Sequence, residues 1–139
     1  MEKTAFKNFC NTLLDILLFI WMLPQNVAGM ILYPFAKVIQ KERFNRVVYL
    51  RASGIKSGSI SLGRFIFLCE AHWGKQTVKA HEYGHFLQAC RIGWLFLPAI
   101  GIPSIIWAGF FGKWRQKHRK TYYWFYTEAW ADKLSNIKR

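Results

Sequence analysis

His81-Glu82-Tyr83-Gly84-His85 has the pattern H-E-x-x-H. Residues four apart share one face of a helix, so both imidazoles can reach a single metal ion. Glu82 follows the first histidine and points toward the place where a water on that ion would sit. It can take that water's proton and later return it to a leaving group. In a random chain of this composition the pattern is expected roughly 0.004 times, so chance is a poor explanation. The chemistry indicated is hydrolysis by a metal-activated water. The plain alternative is a helix with two ordinary histidines.

A zinc ion used for hydrolysis takes three protein ligands and keeps one position open. The other histidines, His72 and His118, do not complete the set, and residues 88–91 hold no third histidine. His72 reads as a loop residue. A carboxylate from a later helix is the other solution. In Thr127-Glu128-Ala129-Trp130-Ala131-Asp132 the two acids lie four apart on one face. Glu128 is the expected third ligand. Asp132 is expected to hydrogen-bond the far nitrogen of a ligand histidine and fix its tautomer. Taken alone, the two acids would read as a solvated pair answering Lys133 and Arg139. Gly84 and Ala131 are small enough for the two helices to approach closely. A donor for a transition-state oxyanion is also needed. His118, Tyr122, Tyr123 and Tyr126 are the candidates, with no choice among them. Tyr83 is expected to face packing.

H-E-x-G-H followed by E-x-x-A-D resembles the gluzincin metalloproteases of membranes, the HtpX heat-shock protease and the CaaX prenyl proteases. The resemblance covers the metal motifs and their order. It implies His81, His85 and Glu128 as ligands of Zn2+, Glu82 as the catalytic residue and Asp132 as their support. Leu23-Pro24-Gln25-Asn26, Ser61-Leu62-Gly63 and Gly101-Ile102-Pro103-Ser104 are similar to strings in small membrane proteins of Bacteroidetes-type bacteria. That likeness extends over nearly the whole chain and carries no activity. In zincins an edge strand pairs with the extended substrate backbone. Ile60, Ser61, Leu62, Gly63 and Arg64 begin the strand that would do so here. Compact minigluzincins imply that a helix, a small sheet and two metal helices suffice at this size.

These residues sit in a chain of 139, with a composition 53% hydrophobic and 18% aromatic. Lys and Arg number 20 against 7 Asp and Glu, for a net charge of +13. The length suits one domain, residues 1–139. The apolar fraction excludes a disordered basic tail. Cys10, Cys69 and Cys90 form no C-x-x-C pair and read as buried free thiols in a reducing compartment. Two apolar blocks stand out. Residues 13–36 carry one charge, Asp15, and are long enough to cross a hydrocarbon core of about 30 Å. Pro24-Gln25-Asn26 in the middle could kink one span or turn a shallow hairpin. A cleaved signal peptide fits poorly, because the apolar part is too long. Residues 92–112 carry no charge, and Pro98, Gly101 and Pro103 are expected to break them into two short halves.

Between the blocks, Val47-Val48-Tyr49-Leu50 reads as a strand and Ile60 to Leu68 as a second, joined by a hairpin-like linker over residues 53–59. A helix is predicted from Thr77 to about Arg91, ended by Gly93. A last helix begins near Thr121 or Thr127. The expected fold is α+β: a zincin-like core of a short antiparallel sheet of two or three strands and two metal-bearing helices. To this are added a membrane-inserted N-terminal helix or hairpin and a re-entrant or interfacial segment at 92–112. The metal site constrains the second block. His81 and His85 precede it and Glu128 follows it, so a single crossing would separate the ligands by roughly 30 Å.

Basic residues after both blocks favour the cytoplasmic side of a bacterial inner membrane, with the metal site on that side. The run Lys113 to Lys120 with Trp114 and Trp124 mixes cations and aromatics as single-strand binders do. Beside an apolar block the same mixture is the interfacial pattern, so lipid is the expected partner and nucleic acid is not. The function expected is a membrane-bound zinc metalloendopeptidase acting on a peptide or membrane-protein substrate. The other reading is a non-catalytic membrane protein whose structural zinc site supports a binding role.

Overall fold

A computed structural model describes residues 2–139, with no side-chain description for residues 2 and 3. Seven α-helices and one four-stranded sheet are present among them, an α+β arrangement. The helix α1 (Glu2–Trp21) runs into α2 (Leu23–Leu32) through a bend of 83°. Pro24 lies at the start of α2, where its missing N–H leaves no bond unmade. Gln25 and Asn26 are fully buried and act as clasps. Gln25 donates to the Gly93 carbonyl at 3.0 Å, and Asn26 donates to the Phe19 carbonyl at 3.1 Å. No single helix among the described residues is long and apolar enough to cross a membrane. Together α1 and α2 have the length and composition, but they are bent.

Strands β1 (Val38–Phe44), β2 (Val47–Ala52), β3 (Ser59–Leu62) and β4 (Phe65–Leu68) form a sheet in the order β1-β2-β4-β3. β1 pairs antiparallel with β2, β2 parallel with β4, and β4 antiparallel with β3. The expected short antiparallel sheet is therefore mixed, with four strands. Two sequence readings change with it. The strand expected from Ile60 to Leu68 is two strands folded back at Gly63-Arg64. Gly63 takes φ +60 there, and a Cβ would lie 2.2 Å from the Asn26 side-chain oxygen. The 53–59 linker does not close a hairpin; it carries the chain out to the far edge. β1 lies in the basic segment and was not expected as a strand. From Ile39 onward it is exposed, so no apolar alternation announces it.

The one-turn helix α3 (Glu70–Trp73) contains His72, which is therefore not in a loop. Next comes α4 (Gln76–Ile92), which Gly93 ends at φ +52. One face of the sheet packs on α4 through Val47, Tyr49, Ile66, Leu68, Phe86 and Ala89. The other face gathers Ala36, Leu50, Ala52 and Phe67.

Pro98, Gly101 and Pro103 do not make the expected break. The chain stays helical from Gly93, through a 3-10 turn and a π turn (Leu97–Gly101), into α5 (Ile102–Phe110). Pro98 lies in the first turn of the Leu97–Phe110 run. Pro103 lies inside it directly after the π turn, where the Ala99 carbonyl four residues earlier accepts from the Tyr126 hydroxyl. Reversal of direction comes later, around α6 (Gly112–Lys117) and a 3-10 turn at Tyr122–Trp124. Then α7 (Tyr126–Leu134) packs against α4.

Gly84 sets that packing. A Cβ on it would lie 2.2 Å from the Ala131 carbonyl oxygen. That atom is backbone, so α7 would have to move. Gly84→Ala is expected to cost about 2 kcal/mol or more, read as a lowered Tm. Gly74→Ala is the control: a Cβ there meets nothing within 4 Å. Equal Tm values for the two variants would contradict the close approach.

Candidate metal centre

The spacing in α4 puts His81 and His85 on the face that meets α7. The rings sit edge to face with centroids 4.9 Å apart. Across the Gly84–Ala131 contact, α7 presents Glu128, which has no solvent exposure. Its Oε2 lies 3.0 Å from Nε2 of His81 and 3.4 Å from Nε2 of His85. Candidate ligand atoms of the three residues all lie within 4.8 Å of one another. This buried His/His/Glu group could hold a metal ion. Its donor set, two imidazoles and a carboxylate, suits zinc.

Both ring nitrogens facing away from the centre are occupied. Nδ1 of His81 lies 2.7 Å from Oδ1 of Asp132. Nδ1 of His85 lies 2.7 Å from Oε1 of Gln88, whose amide donates to the Thr127 carbonyl at 2.7 Å. A proton on each Nδ1 leaves Nε2 free to serve as a ligand. Asp132 also accepts from Nε of Arg139 at 2.7 Å. Asp132 thus holds the histidine and also answers Arg139.

Burial by itself would lower the pKa of His85, but the hydrogen bond to Glu128 and the charge of Glu82 outweigh it and raise it to about 9. His81 is raised by the same balance, with burial opposing and Glu128 prevailing. Burial would push Glu128 up. Hydrogen bonds from His81 and His85 overcome it and hold the carboxyl well below the usual range. Ser104 and Thr127 add donors to Oε1 at 2.7 and 3.0 Å.

Glu82 is buried and accepts a 2.6 Å hydrogen bond from the Ser59 hydroxyl at its Oε1. With His85 it lines a cleft of about 480 Å³. One wall of the cleft is β3, the other Phe96, Ile100, Ile102 and Ile105. Residues Ile60, Ser61 and Leu62 line it. Gly63 and Arg64 do not; they form the β3–β4 turn, and the Arg64 side chain runs to the Arg46 carbonyl and Asp15.

Of the four oxyanion candidates, Tyr122 lines the cleft. Burial, and then the charge of Glu128, push its hydroxyl well above the ordinary tyrosine pKa, so it stays a donor. The others do not line the cleft. His118 stacks on Trp114 at 4.3 Å, and Tyr126 donates to the Ala99 carbonyl at 2.6 Å. Tyr123 packs edge-on against His81 beneath the Arg139 guanidinium. Tyr83 packs with Phe44 and Phe86, as expected.

Ser59, Gln88, Ser104 and Thr127 were not foreseen in these roles, whereas the pairing of Arg139 with Asp132 was part of the solvated-pair alternative. Gln88 had a signal, three residues after His85 on the same helix. Ser104 had none, being 24 residues from Glu128 in sequence. The chain matches no protein-family model, no curated protein and no solved structure.

The pKa shifts set an expected pH response. In the metal-free protein, His85 contributes stability that is complete below its ordinary 6.5 and is lost as pH rises through about 9. Glu128 contributes stability that is complete above its ordinary 4.5 and is lost as pH falls. A bound cation must displace the histidine protons, so uptake should release protons and strengthen toward pH 9. Titration calorimetry with Zn2+ in buffers of differing ionisation enthalpy measures that release. Asp132→Asn should weaken Zn2+ binding by roughly 10- to 100-fold. Glu128→Ala should weaken it further, and unchanged affinity there would remove Glu128 from the ligand set.

Proposed function

We propose that the protein is a membrane-bound zinc metallopeptidase of the gluzincin type, hydrolysing peptide bonds with Glu82 as general base. The observation that carries this reading is the position of Glu82. It lies beside a buried His/His/Glu group and faces a cleft bounded by an edge strand. A site built only to hold the fold together needs neither a carboxylate beside the ligands nor a cleft.

His81, His85 and Glu128 would hold the zinc. When bound, the ion supplies Lewis acidity, lowering the pKa of water and polarising the scissile carbonyl. The chain's own residues supply the rest. Ser59 fixes one oxygen of Glu82, so the other is aimed by the rigid α4 backbone. Glu82 accepts the proton of the attacking water and passes it to the nitrogen of the departing amine. Tyr122 stays protonated and donates toward the oxygen on which negative charge develops. The free edge of β3 can add an extended peptide as a further strand, using main-chain hydrogen bonds. Phe96, Ile100 and Ile105 supply apolar contacts for a side chain of that peptide.

The reading includes the cytoplasmic face of a bacterial inner membrane. The cations that follow both apolar segments support that side.

Mass-spectrometric screening of a peptide mixture with metal-loaded protein tests the activity. Glu82→Gln should keep zinc at full stoichiometry and lower kcat at least about 100-fold. Tyr122→Phe should lower kcat by about 100-fold with little change in KM. Undiminished cleavage by Glu82→Gln would remove its assigned role. Zinc binding with no cleavage of any peptide would favour a structural site.

A further inference from the structure

Three helices present apolar faces to the exterior. On α1, Phe6, Phe9, Leu13, Ile16, Leu17 and Ile20 recur at the spacing of one face, and all are exposed. On α2, Val27, Met30 and Ile31 are exposed. On α5 the exposed residues are Ile102, Ile105, Ile106 and Phe110, the last at 82%. Within each helix the set falls at the spacing of one face, a stripe rather than scattered surface residues.

Only the second half of α1 is tied to the sheet; residues 4–14 are exposed on every side. Asp15, in the second half of that helix, pairs with Arg46 in the β1–β2 turn. It also pairs with Arg64 in the β3–β4 turn at 3.4 Å. If α1 crossed a bilayer, Asp15 and both arginines would enter the hydrocarbon with the ends of the sheet. Ionised groups at that depth are strongly disfavoured. Lys7, Asn8 and Asn11 lie opposite the apolar stripe, and a helix with a polar face opposite an apolar one is built to lie in the interface. The bend before α2 keeps the second helix against the protein as well, since Gln25 and Asn26 are buried clasps.

The two apolar segments are joined. Trp21 donates its indole N–H to the Cys90 carbonyl at 3.0 Å, and Trp94 donates to the Ile20 carbonyl at 2.9 Å. Both rings are about half exposed, with their polar edges satisfied, as suits the headgroup region. Lys113, Lys117 and Lys120 follow α5, and the net charge is +13. That charge complements an anionic surface.

We propose that α1, α2 and α5 lie in one leaflet of an anionic phospholipid bilayer without crossing it, and that the sheet and metal centre stay outside the hydrocarbon. Ile102 and Ile105 also wall the cleft, so the cleft mouth comes to the lipid surface. This seating is independent of peptide cleavage and holds even if no bond is cut.

The test uses wild-type protein added to preformed sealed vesicles of phosphatidylcholine and phosphatidylglycerol. The protein should float with the vesicles, and less so as salt rises. A membrane-impermeant amine reagent, read by mass spectrometry, should label Lys7 and Lys37 alike before lysis. These exposed residues lie in α1 and just beyond α2. Labelling of either one only after lysis would show a crossing and overturn the proposal. So would failure to float, or equal binding to phosphatidylcholine alone. Leu17→Asp and Ile106→Asp alter exposed positions and should each weaken vesicle binding at least about tenfold. Full binding by both variants would equally overturn it.

Discussion

A carboxylate with no access to water must be satisfied from every side, and Glu128 is. Removing such a group from water costs several kcal/mol unless charge and hydrogen bonds replace the solvent. Here His81 and His85 approach one oxygen, and Ser104 and Thr127 donate to the other. The four partners come from α4, α5 and α7. A shift of α4 or α7 alone would part the carboxylate from its histidines, and a shift of α5 would remove the Ser104 donor. A metal ion in the same place would take over the positive side of this balance.

The rest of the site follows from how closely α4 and α7 approach. Gly84 lets the Ala131 carbonyl come near enough for Glu128 to reach both histidines. Asp132 and Gln88 then set the ring orientations from outside. The sheet contributes an edge. Folding back at Gly63 makes β3 the outer strand and places Ser59 on Glu82. The apolar helix α5 closes the opposite wall. One element thus serves both the interior of the cleft and the exposed apolar surface.

Much of the site was legible because its residues are rare and local. Five of the eleven Asp, Glu and His residues are His81, Glu82, His85, Glu128 and Asp132. A four-residue spacing on a helix has one geometric meaning, so the histidine pair needs no tertiary information. The sheet was harder to read. β1 is a charged edge strand with its side chains in water, so period-two alternation is missing. Ile60 to Leu68 read as one strand because glycine in a strand pattern is compatible with both extension and a turn. Asn26, distant in sequence, occupies the space a Cβ would need. The prolines at 98 and 103 misled in the other direction. The π turn there lets the helical run continue past both, and the Tyr126 hydroxyl donates to the Ala99 carbonyl four residues before Pro103.

The sequence by itself determined the metal-binding pattern, the presence of a second acidic helix and the two apolar segments, because each depends on composition or short-range periodicity. The tertiary structure alone decided that Ser59, Ser104 and Thr127 hold the carboxylates. It also decided that Tyr122 rather than its neighbours faces the cleft, and that Asp15 is tied to the sheet. Apart from Thr127, the neighbour of Glu128, those outcomes rest on contacts between residues far apart in the chain. Such contacts depend on distances of a few ångströms, which no local pattern of residues encodes.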